Sequence, residues 1–149
     1  MRKYWLSVII LLITLSLSGC NGGESGNMYY QQSETEFTID FVDESLTSTG
    51  ITLIFQNKSS SYSYQFDDAY ALEKNIDDDW CAIVPVNDIS SLAVAYIVLP
   101  GEITEYKIMW ETKYGSLPAG EYRISKRIEK LTSNEEVVDD FQVYAYFSL

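Results

Sequence analysis

From Thr35 onward the sequence predicts an all-β sandwich of about seven to eight short antiparallel strands. Three observations carry that reading. Apolar residues recur with period two, turn-forming joints interrupt them at short intervals, and no long stretch shows helical periodicity.

The elements follow in order. Phe37, Ile39 and Phe41 alternate with Thr38 and Asp40, and Ile51, Leu53 and Phe55 alternate with Thr52 and Gln56. Residues 70–72 continue this pattern towards Glu73, and residues 80–86 form the next predicted strand after a turn at 75–79. An apolar run at 93–99 ends at Pro100-Gly101, and Tyr106, Ile108 and Trp110 then alternate with charged neighbours. Tyr122, Ile124 and Ile128 lie in phase, with Arg123, Ser125 and Arg127 on the opposite face. Phe141, Val143, Ala145, Phe147 and Leu149 close the chain. The joints at 47–50, 57–61, 75–79, 100–101 and 115–120 are rich in Gly, Pro, Ser, Asn and Asp. Residues 88–92 are the one place suited to a single helical turn. Many short strands at this spacing close into a sandwich or barrel, and the apolar faces suffice for a core about 10 Å thick.

The first 19 residues differ in kind. Arg2 and Lys3 precede an uncharged apolar run from 4 to 17, and Ser18-Gly19 supplies small residues before Cys20. That run falls short of the ~20 residues a spanning helix needs, so residues 1–19 are expected to be a signal peptide rather than an uncleaved anchor helix. Leu17-Ser18-Gly19-Cys20 resembles a lipobox. The resemblance implies cleavage between Gly19 and Cys20 and a diacylglycerol thioether on Cys20, the one covalent group expected. Residues 20–34, rich in Gly and polar side chains, then serve as a flexible linker spanning roughly 20 Å. Residues 35–149 form the domain.

Composition excludes several classes of function. The chain carries 10 basic and 22 acidic residues, a net charge of −12; loss of Arg2 and Lys3 takes it to −14. Such a surface disfavours nucleic acid and anionic headgroups. There is no histidine, which removes Ser-His and Cys-His nucleophiles and His-ligated zinc. Only two cysteines are present. With Cys20 acylated, Cys81 is expected to stand without an intramolecular partner, as a small packing residue. No catalytic residues, metal or soluble cofactor are expected.

The most specific local signal is the run 117–122, LPAGEY. Leu117, Gly120 and Tyr122 look like a tyrosine corner, whose phenol returns to upstream backbone and pins a joint between sheets. Around it, ITLIFQN at 51–57, YALEK at 70–74, Trp80 leading to Val84-Pro85, LPGEITEYKIMW at 99–110 and YGSLPAGEYRISK at 114–126 appear in order. In these motifs the chain resembles a bacterial Ig-like domain family found in Firmicute lipoproteins and secreted proteins. The resemblance implies an immunoglobulin-like β-sandwich, extracellular and without catalysis, with Trp80 and Tyr122 as structural residues. One departure is Asp77-Asp78-Asp79, where an Asp-Gly type turn is usual; it is expected to lengthen or loosen the hairpin. That acidic run also invites calcium, but the spacing D-x-D-x-D-G is absent, and a solvated hairpin is the simpler expectation.

Two further pairs stand out. Glu73 and Arg123 lie in the two most family-like strands and are expected to form an inter-strand ion pair. Tyr62 and Tyr64, in the Ser- and Tyr-rich segment 57–70, suit an adaptable binding loop; the alternative is a hydrated loop whose tyrosines cover a sheet edge. The expected function is a membrane-anchored extracellular binding or accessory module, held by its lipid at the outer face of the cell membrane. Its partner is expected to be an envelope protein or peptide. The alternative is a β-sandwich proteinase-inhibitor-like protein presenting the loop at 86–92 or 115–120.

Overall fold

In the computed structural model residues 36–89 and 94–149 are described, and within them the period-two segments become nine strands. These are β1 (Phe37–Phe41), β2 (Gly50–Asn57), β3 (Ser63–Phe66), β4 (Ala71–Ile76), β5 (Asp79–Ala82), β6 (Tyr96–Val98), β7 (Ile103–Met109), β8 (Glu121–Leu131) and β9 (Val137–Ser148). A single-turn helix, α1 (Glu111–Tyr114), joins β7 to β8.

All strand pairs are antiparallel and form two sheets. In the first, β2 lies between β1 and β7. In the second, β8 pairs with β9 along its whole length. Its other edge is shared, residues 129–131 pairing with β3 and residues 122–125 with β4. The outermost strand repeats the division, with β6 on β3 and β5 on β4. The second sheet is therefore four strands wide, and the two strand positions on the side of β8 away from β9 are each broken. Gln65 faces Glu129 and Ala71 faces Ser125. Six steps along β3–β4 thus match four along β8, so the break at 67–70 holds two extra residues, an enlarged bulge.

The core lies between the sheets. Phe37, Leu53 and Phe55 from the first meet Tyr64, Phe66, Ile124, Ile128 and Val143 from the second. Trp110 is fully buried, stacks on Phe147 at 5.6 Å and donates Nε1–H to the Ser48 carbonyl at 2.9 Å. The two-sheet, all-β architecture predicted from the alternation is the one found.

Three local expectations are corrected. β3 lies inside the segment 57–70 read as loop, because Tyr64 and Phe66 alternate inward on either side of Gln65. The strand expected over 80–86 ends at Ala82. Ile83 still donates to the Leu72 carbonyl of β4, and further on the Val86 and Asn87 amides donate instead to the Lys113 carbonyl. The helical turn is α1; Asp88 and Ile89 are not helical, and residues 90–92 lie outside the described residues.

Candidate functional site

Alternation along β8 sorts its basic residues onto two faces. Arg123 and Arg127 point to solvent, whereas Lys126 shares the phase of Tyr122, Ile124 and Ile128 and points into the sandwich.

On the solvent face Arg123 is opposite Glu73 on β4 and Tyr146 on β9. Its Nε donates to Glu73 Oε2 at 2.5 Å, the ion pair anticipated from the sequence motifs. The guanidinium carbon also lies 4.7 Å from the Trp80 ring centre and 4.6 Å from that of Tyr144. Trp80 meets Tyr146 edge-on at 5.5 Å. Three aromatic rings from β5 and β9 thus gather round one cation on the outside of the sheet. Cation–π contacts of this kind contribute about 0.5–2 kcal/mol each and fix ring orientation. Tyr146 remains 53 % exposed. Further along the same face, Arg127 pairs with Asp140 at 2.9 Å, and Gln65 donates to Glu129 at 3.1 Å. An open groove of about 290 Å³ lies there, lined by Gln65, Phe66, Asp67, Val94, Ala95, Arg127 and Glu129.

Behind this face lies the break between β3 and β4. Lys126, 1 % exposed, donates from Nζ to the Asp67 carbonyl at 2.5 Å and the Ala69 carbonyl at 3.0 Å. These carbonyls belong to the extra residues, where the ladder to β8 is interrupted. Nζ also sits 4.8 Å from the Tyr106 ring centre and 5.1 Å from that of Phe66. Burial pushes its pKa down to about 8, against the opposing pull of Asp67 and Asp68. Tyr106 donates to Asp68 Oδ1 at 2.6 Å, and burial together with that carboxylate holds its phenol well above the usual range. Sequence reading passed over Lys126, although its position two residues from both Ile124 and Ile128 was the signal.

At the opposite end of β8, Tyr122 Oη donates to the Pro118 carbonyl at 2.7 Å. Leu117 is buried in the core, and Gly120 adopts φ +157° beneath the Lys74 side chain, where a Cβ would lie 2.9 Å from Lys74 Cε. This is the geometry of a tyrosine corner.

Other sequence-derived candidates fall elsewhere. Tyr64 is not in a binding loop: it is fully buried and packs 4.6 Å from Phe37, because β3 places it in the inward phase. Tyr62 is half-buried under Lys130, whose Nζ lies 4.4 Å from its ring centre. Its loop is held by Asn57 Nδ2 on the Tyr62 carbonyl and by Ser59 Oγ, which accepts from the Tyr62 amide. Trp80 is on the outer face, and the tryptophan packed in the core is Trp110. Cys81 is not a free thiol, which corrects the expectation of an unpartnered one. It is half-buried on β5, an edge strand of the second sheet. Cys20, the other cysteine of the sequence, lies with Gly19 outside the described residues.

The acidic hairpin is tight, not lengthened. Ile76 pairs directly with Asp79, leaving Asp77 and Asp78 as the two turn residues at φ 53° and 70°. Positive φ at both central positions defines the type I′ turn that matches strand twist. Aspartate tolerates the left-handed region better than most residues. Among the described residues no three acidic or sulfur side chains converge on a metal-sized site.

Two facing antiparallel sheets, a buried tryptophan and a tyrosine corner are features of immunoglobulin-like sandwiches. Comparison with curated proteins and with solved structures gives no match. Residues 32–147 match the family described as bacterial Ig-like domain, most of the chain, and the protein therefore belongs to the bacterial Ig-like domain family.

Proposed function

We propose that the protein is a membrane-tethered extracellular module that binds an envelope component through the outer face of its four-strand-wide sheet. Domains of this family are generally non-catalytic. The observation that carries the binding role is the cluster of Trp80, Tyr144 and Tyr146 around Arg123 on a solvent face. Folding does not need large aromatic side chains outside the core, and Trp, Tyr and Arg are the residues that dominate binding energy at interfaces. The tether follows from the lipobox-like tetrapeptide at 17–20; two acyl chains there give firm anchoring, where one is marginal.

Cross-linking in native membranes tests the binding role. Wild-type protein should yield a discrete adduct that Trp80→Ala removes while the domain stays folded. An adduct unchanged by Trp80→Ala would place recognition elsewhere. A narrower reading, proteinase inhibition, draws on Val84 and Val86, which are 82 % and 66 % exposed in a segment pinned to Lys113. Resistance of the 83–89 backbone to a protease that it slows would favour that reading.

A further inference from the structure

Resting on that recognition face, we propose that its ligand is an uncharged linear glycan lying along the outside of β8 from Trp80 towards the groove at Arg127. Charge is the first argument. The chain carries −12 overall, yet both outward arginines of β8 are already committed, Arg123 to Glu73 and Arg127 to Asp140. A neutral polar chain leaves both pairs intact. Shape is the second. From Arg123 to Glu129 the face runs about 20 Å at ~3.3 Å per residue, long enough for an extended polymer. Its middle presents small, exposed Ala71, with Ser125 opposite it in register buried, and its far end opens into the 290 Å³ groove.

The chemistry of the aromatic end is the third argument. Sugar rings present faces of weakly positive C–H groups, which are attracted to the negative π-faces and excluded from none of the polar rim. Arg123 holds Trp80 and Tyr144 in place before any ligand arrives, so little ordering cost is left for binding. The amide of Gln142, opposite Arg127 on β9, is placed to hydrogen-bond hydroxyl groups. A basic peptide would be drawn by the general acidity of the molecule, but this face offers it no uncommitted carboxylate cluster.

The test is an array of linear oligosaccharides, neutral and anionic, probed with the full chain, with Trp80→Ala and with Tyr146→Ala. Tyr146 is the more exposed ring, so its variant keeps the test open should Trp80→Ala fail to fold. The proposal expects retention on neutral members, weakened at least tenfold by either substitution and unchanged between about 0.05 and 0.5 M salt. A blank array, retention only on anionic sugars, or retention indifferent to both substitutions overturns it. A Trp80-dependent protein adduct in membranes alongside a blank array would defeat the glycan while leaving the recognition face standing.

Discussion

Lys126 shows how a single side chain compensates an irregularity of the backbone. The extra residues at 67–70 turn two carbonyls away from β8, and a buried carbonyl without a donor costs about 1–3 kcal/mol. The Lys126 amine supplies both bonds. Lys126→Met keeps the volume but removes the donors, and should lower stability by about 1–3 kcal/mol in chemical denaturation. Its pH dependence has a definite sign. The folded pKa of about 8 lies below the ordinary 10.5, so between these values the unfolded chain binds more protons and stability rises with pH. The gap between wild type and Lys126→Met should therefore widen from pH 8 to 10. Above pH 10 the direction reverses. Tyr70, raised to about 12 by burial, and Tyr106, raised further, stay protonated in the fold while their unfolded counterparts ionise. A melting temperature of wild type that fell steadily from pH 8 would contradict this assignment.

At the scale of elements, the β4–β5 hairpin and the β4–β8 pair offer separate tests. Asp78 at φ 70° holds a conformation that glycine adopts without strain. Asp78→Gly should stabilise the domain by about 0.5–1 kcal/mol, read from the denaturation midpoint. For Glu73 and Arg123, both mostly buried beneath neighbouring side chains, reversing the charge at one position should cost more than reversing both. A double-mutant cycle that is simply additive would remove the pair from the account. Elements were legible in the sequence where alternation was long and uninterrupted, as in β2, β8 and β9. They were illegible where chain geometry decided. β3 is four residues long and embedded in serine and tyrosine, and β5 stops because its backbone finds Lys113 instead of a strand. The tyrosine corner was readable because its residues are contiguous. The aromatic cluster was not, because register alone brings Trp80, Arg123, Tyr144 and Tyr146 together from three strands.

At the scale of the whole molecule, a family-defined sandwich carries a proposed anchor and a proposed recognition face. Among the described residues every core side chain lies at or beyond Phe37, so the sandwich packs without the anchor. Cys20→Ser should therefore leave the melting temperature of the domain unchanged while shifting the protein from the membrane to the soluble fraction. Intact and peptide mass spectrometry of the protein from native membranes, without reduction, reads the state of Cys20 directly. The account predicts a chain beginning at Cys20 with a diacylglyceryl group on that residue. Chains from those membranes with Cys20 unacylated would contradict it.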